Sequence, residues 1–86
     1  MTNRTYTIET KQINKFEDII TGERCNAISF TNRGTDTCYI NNEPLPEGES
    51  ISINGLEGEF DKTTYRVSWL PAATSKSLFV KIKRYN

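Results

Sequence analysis

The chain has 86 residues, its 11 lysines and arginines balance its 11 aspartates and glutamates, and it contains no histidine. This length makes one domain that buries only roughly 60% of its unfolded surface, so docking onto a larger body would add stability. Neutrality provides no global field toward nucleic acid or membrane. The missing histidine removes Ser-His-Asp and Cys-His nucleophile activation and the commonest metal ligand.

Residues 1–11 contain no apolar run, so neither a signal peptide nor a membrane span is expected. Residues 1–4 read as a flexible arm that could order only on assembly. A first strand is predicted over 4–10, with Tyr6 and Ile8 on one face. The stretch 11–21 is ambiguous. Ile13, Phe16, Ile19 and Ile20 fit a short amphipathic helix, and an irregular segment or strand over one end of a sandwich fits nearly as well. Gly22 ends it. A strand over 24–32 follows, then the turn Thr31-Asn32-Arg33-Gly34-Thr35, with 35–41 as the expected hairpin partner. Turns are expected at Asn41-Asn42-Glu43-Pro44 and again at 45–49, where Gly48 supplies a conformation other residues resist.

A short strand over 50–54 leads to a loop bracketed by Gly55 and Gly58, which Phe60 would anchor on the core. The strand over 64–70 ends at Pro71. The last strand, 77–85, points Leu78, Val80 and Ile82 inward and Phe79, Lys81 and Lys83 outward. Across the middle of the chain Ile28 and Phe30, Cys38 and Ile40, Ile51 and Ile53, and Tyr65, Val67 and Trp69 all recur at period two. The expected fold is all-β: one β-sandwich domain over 1–86, immunoglobulin-like or jelly-roll-like, of about six or seven antiparallel strands.

Cys25 and Cys38 do not read as a disulfide framework. On a hairpin turning near Arg33 or Gly34 their Cα atoms would lie too far apart to bridge. Cys38, alternating with Ile40, reads as a small buried hydrophobe, and reduced thiols fit synthesis in the cytoplasm. Without histidine, two cysteines at this spacing make no zinc site. No Gly-x-Gly-x-x-Gly or Walker phosphate loop is present. The chain is expected not to be an enzyme and to need no cofactor or metal.

Three constellations carry weaker signals. Glu57, Glu59 and Asp61 could offer oxygens to calcium, but the spacing is not that of an EF-hand and a solvated acidic loop is favoured. Phe79, Lys81, Lys83, Arg84 and Tyr85 could stack bases and neutralise phosphates. The competing reading is an exposed strand face whose lysines blunt a sheet edge. Tyr65 and Trp69 could line a carbohydrate groove, although their alternation with Val67 favours the core.

The charges are segregated. Residues 43–62 carry a net −5 and residues 63–86 a net +5. Chance clustering on solvated faces is the plain reading. The sharper one is a pair of complementary patches that orient the domain against neighbours. Candidate interaction residues are Glu47, Glu49, Glu57, Glu59, Asp61, Phe79, Lys81, Lys83 and Arg84.

The run Asn26-Ala27-Ile28-Ser29-Phe30-Thr31-Asn32-x-Gly34-Thr35-x-Thr37, then Asn41-Asn42-x-Pro44-Leu45-x-x-Gly48-Glu49-Ser50-Ile51-Ser52-Ile53, then Gly58-Glu59-x-Asp61-x-Thr63-x-Tyr65, resembles small virion proteins of tailed bacteriophages infecting Bacteroidetes, including the crAss-like group. The resemblance covers about half the chain. Similar turn motifs recur in immunoglobulin-like modules of bacterial surface proteins. The resemblance implies a non-enzymatic virion component: an auxiliary or decoration protein docked on major capsid subunits, or alternatively a head-fibre, collar or tail adaptor or receptor-binding module. A nucleic-acid-binding small barrel using the basic last strand is a further alternative. The partners implied are other virion proteins, the major capsid protein first; a homo-oligomer is left open, and no membrane partner is expected.

Overall fold

The computed structural model describes residues 5–15, 17–21, 24–55 and 63–86. Among these, period-two alternation is realised as eight strands: β1 (Tyr6–Ile13), β2 (Glu17–Thr21), β3 (Cys25–Asn32), β4 (Cys38–Ile40), β5 (Glu43–Leu45), β6 (Ser50–Asn54), β7 (Thr64–Trp69) and β8 (Leu78–Tyr85). They form two four-stranded sheets, sheet A in the order β1-β8-β3-β6 and sheet B in the order β2-β7-β4-β5. Every pairing is antiparallel.

The order has a simple logic. β1 pairs with β8, β2 with β7, β3 with β6 and β4 with β5. The chain is thus a long two-stranded ribbon doubled back at the β4–β5 hairpin and wrapped so that β8 also meets β3 and β7 meets β4. This is the jelly-roll topology, and it differs from the four-plus-three division of a constant-type immunoglobulin sandwich.

The hairpin at the head of the ribbon is encoded locally. Asn41 and Asn42 both have positive φ (50° and 69°) between the paired residues Ile40 and Glu43. Two left-handed central residues suit the twist of a tight hairpin, and asparagine tolerates that region. The tip is pinned to β7: the Asn41 amide donates to the Arg66 carbonyl at 2.9 Å and the Asn41 Oδ1 accepts from the Arg66 amide at 2.8 Å. Pro44 is accommodated because β5 is an edge strand.

At the opposite end, three sheet-to-sheet crossings are tied together around Asn32. Its buried side-chain amide donates to the Leu45 and Asp36 carbonyls at 2.8 and 2.9 Å, and its Oδ1 accepts from the Gly34 amide at 2.9 Å. Its backbone amide donates to the Glu49 carbonyl and its carbonyl accepts from Gly48, which has φ of 77°. A Cβ on Gly34 would lie 2.4 Å from the Ser75 carbonyl oxygen and 2.9 Å from the Ser77 nitrogen, so glycine alone fits there. Asp36 then caps the β7–β8 crossing, its Oδ2 accepting from the Thr74 and Ser75 amides at 2.9 and 2.7 Å.

Between the sheets, Phe30, Ile28, Leu78, Val80 and Ile82 of sheet A meet Cys38, Ile40, Leu45, Tyr65, Val67 and Trp69 of sheet B, all buried. The Phe30 and Tyr65 rings touch across the gap with centroids 5.2 Å apart. Tyr65 and Trp69 are core residues, as their alternation predicts. The Trp69 Nε1 is buried with no acceptor among the described residues.

Several sequence expectations are corrected. The described residues form eight strands, against the six or seven expected. Of the two readings of 11–21 the helix is corrected and the strand holds: the stretch completes β1 and then forms β2, and the helix-like spacing of Ile13, Ile19 and Ile20 arises from two successive strands. The 35–41 segment is not the hairpin partner of β3, because β4 lies in the other sheet. The turn after β4 is two residues long, and Glu43 and Pro44 already belong to β5. Ile51 packs on the core, whereas Ile53 is 37% exposed on the β6 edge. With the 25–38 hairpin gone, its spacing argument goes too, although the expected absence of a disulfide between them holds: Cys25 and Cys38 are fully buried thiols in opposite sheets.

Candidate interaction surface

Directly opposed residues of an antiparallel pair share a face, so the registers define the outer surface of sheet A row by row. Gln12, Phe79, Thr31 and Ser50 form one row; Thr10, Lys81, Ser29 and Ser52 the next. Ile8, Lys83, Ala27 and Asn54 form a third, and Tyr6 and Tyr85 close the series. No carboxylate lies in these rows, although the chain as a whole is neutral.

Cations cover the aromatic rings at both ends of the surface. The Arg33 guanidinium lies 4.2 Å from the Phe79 centroid, and the Lys83 Nζ lies 3.9 Å from that of Tyr6, whose ring is tilted against Tyr85 at 4.9 Å. Between the two ends a shallow depression of about 250 Å³ is lined by Ile8, Ser29, Ser52, Asn54, Lys81 and Lys83. Ala27 and Ile28 also line it, so its lining mixes apolar groups with hydroxyl, amide and ammonium groups. Ile8 is 53% exposed beside it.

The candidate residues divide cleanly. Phe79, Lys81 and Lys83 share this surface. Arg84 does not, because its even position puts it with Val80 and Ile82 on the inner side, where it pairs with Glu9 at 3.2 Å and donates to the Thr21 carbonyl of β2. Glu47 and Glu49 sit exposed on the β5–β6 turn, beside the Phe79 row and on the same end of the molecule as Arg33. Glu57, Glu59 and Asp61, with Phe60, Gly58, Gly22 and residues 1–4, lie outside the described residues. Among the described residues no cluster of three or more cysteines, aspartates and glutamates could hold a metal, and no helix is long and apolar enough to cross a membrane.

Sequence reasoning missed Arg33, Tyr6, Ile8, Ser29 and Ser52 as members of the surface. Tyr6, Ile8, Ser29 and Ser52 join through register, and Arg33 through its contact with Phe79; the local signals were the alternation of β8 and the shared face of Tyr6 and Ile8. Cys38 offers no nucleophile: burial pushes its thiol up to about 11, so it stays protonated at neutral pH.

The seam below this surface has a different chemistry. Glu9 and Lys11 occupy inner-face positions of β1, opposite Ile82 and Val80, yet they are charged. Glu9 meets Arg84, and Lys11 meets Asp18 of β2 at 3.5 Å. The backbone amide of Ile19, first, and Lys11 hold the Asp18 carboxyl below its usual range. The Lys11–Asp18 pair and the Arg84 hydrogen bond to the Thr21 carbonyl thus close the sandwich where β1 of one sheet overhangs β2 of the other. Comparison with known protein families, curated proteins and solved structures found no match.

Proposed function

We propose that this protein is a non-enzymatic structural subunit of a tailed-phage virion, an auxiliary or decoration protein that docks on major capsid subunits through the outer surface of sheet A. The observation that carries the docking reading is the charge of the strand rows of that surface: Lys81 and Lys83 among Phe79, Tyr6 and Ile8, with no carboxylate in the rows, and with Arg33, Glu47 and Glu49 at one end beside them. Apolar area flanked by cations suits an acidic protein surface, with the cations setting orientation and the rings supplying buried area. The phage assignment rests on the turn motifs described above, and the jelly roll is an architecture that capsid proteins use.

Nucleic-acid binding is less well supported. Base stacking needs open ring faces, and here Arg33 and Lys83 cover Phe79 and Tyr6. The copy number of the chain in purified particles, with its position by imaging, tests the proposal. Copies following the capsid lattice support cementing, and a few copies at a vertex or tail favour the fibre or adaptor reading. Absence from particles overturns both. Within particles, the double variant Lys81→Glu/Lys83→Glu is expected to lose occupancy; full occupancy would remove this surface from the docking site. Binding of purified protein to single-stranded DNA that falls steeply with salt would move the assignment to nucleic acid.

A further inference from the structure

We propose that β1 is the interface of an antiparallel two-fold dimer of this chain, with Thr10 on the symmetry axis. This inference is independent of the virion reading. β1 is an edge strand whose one neighbour among the described residues is β8. It runs eight residues in unbroken register, with no proline and no bulge, and it is exposed from Thr7 to Gln12. An edge of this kind is a template for another strand. The edge strand β5, by contrast, has three residues, one of them Pro44, and such short, proline-bearing edges resist pairing.

Charge chooses the occupant. Glu9-Thr10-Lys11 is self-complementary when run antiparallel to itself. An axis through Thr10 sets Thr10 against Thr10 of the second copy, Glu9 against its Lys11, Ile8 against its Gln12 and Thr7 against its Ile13. The neighbouring registers that keep each face on its own side set Glu9 against Glu9 or Lys11 against Lys11, which is unfavourable. Inward-pointing charges on an edge strand ordinarily guard against pairing. Here they exclude every nearby register but one.

Their existing partners extend the match. Glu9 already meets Arg84, and Lys11 meets Asp18, while Glu9 and Lys11 remain 48% and 42% exposed. Across the axis the order becomes Arg84, Glu9, then Lys11 and Asp18 of the second copy, alternating in sign, and the row occurs twice by symmetry. The two A sheets would join as one eight-stranded sheet carrying both Lys81–Lys83 surfaces on one side. On the virion reading, which the dimer itself does not need, such a pair would engage a repeating lattice at two points, which multiplies affinity without any new contact.

Site-directed cross-linking of the purified full-length protein tests register and occupancy together. Under mild oxidation Thr10→Cys is expected to give a disulfide-linked dimer, because paired cysteines on the axis fall within bridging distance. Gln12→Cys is expected not to, since its counterpart would lie roughly 13 Å away along the strands. The native cysteines are fully buried and do not compete. In sedimentation experiments Glu9→Lys should weaken dimerisation roughly tenfold by making two like-charge pairs, and adding Lys11→Glu should restore it. Circular dichroism confirms that each variant is folded. A monomer at all concentrations, or equal cross-linking of the Thr10→Cys and Gln12→Cys variants, overturns the proposal.

Discussion

The sandwich is closed by opposite means at two places. At the Asn32 end, neutral and mostly buried hydrogen bonds bind the crossings after β3, β5 and β7 to one another. Along the β1–β2 seam, partly exposed charged side chains bridge the sheets: Lys11 pairs with Asp18, and Arg84, paired with Glu9 in its own sheet, donates to the Thr21 carbonyl. The difference follows from desolvation. A buried amide that loses its partner has no water to replace it, whereas a surface ion pair contributes little because water and salt compete for both charges. The Asn32 end should therefore hold the fold, and the seam should be free to exchange partners.

The largest expected effect lies where backbone meets backbone. Gly34→Ala forces a methyl group against the Ser75 carbonyl, a group that no rotamer change can clear. A loss of about 3 kcal/mol is expected in urea unfolding. Asn32→Ala should cost about 2–4 kcal/mol, because it strands the Gly34 amide and the Leu45 carbonyl together. Asp36→Ala, which frees two amides of the β7–β8 crossing, should cost about 1–2 kcal/mol. Should all three variants melt within a degree of the parent, the Asn32 end is not what holds the sheets together.

These residues also explain how much of the fold was legible in sequence. Asn32, Gly34, Asn41 and Gly48 were readable as turn residues because each meets a local demand: an amide bridge, a close approach, a positive φ. A turn signal, however, reports that the chain reverses and not which sheet it enters. The loop at 33–37 looked like a hairpin and is a crossing, because β3 finds better partners in β8 and β6. The surface of sheet A was half legible for the same reason. Alternation gave Phe79, Lys81 and Lys83, but Tyr6, Ile8 and Ser52 join them only through pairings remote in sequence. Arg84 was misplaced by adjacency to Lys83, where parity alone assigns it to the inner side.

A third test probes the core that both closures protect. The folded-state pKa of Cys38 is raised to about 11 from an ordinary 9.0. Unfolded chain therefore ionises first as pH rises, so stability is fully present below pH 9 and declines from there toward 11. Cys38→Val should flatten that alkaline decline in melting temperature against pH. An unchanged decline would mean that other groups cause it.

The smallest effect belongs to the seam, and its sign is opposite. Asp18 has a folded-state pKa held down by the Ile19 amide and by Lys11. Its stabilising contribution is therefore present above the carboxylate's unfolded pKa and is lost as pH falls through the lowered folded value. Asp18→Asn should remove that acid-side dependence while changing stability at neutral pH by no more than about 1 kcal/mol. The parent's small advantage over Asp18→Asn should also shrink as salt is raised, whereas the Asn32→Ala deficit should not, because screening acts on exposed charge and leaves buried amides untouched. Parallel salt titrations of the two variants separate the closures directly. If both deficits respond alike, the seam and the Asn32 end are one cooperative unit, and the contrast drawn between them fails. If only the seam responds, β1 can trade its charged partners for those of a second copy while the Asn32 end keeps the sandwich intact.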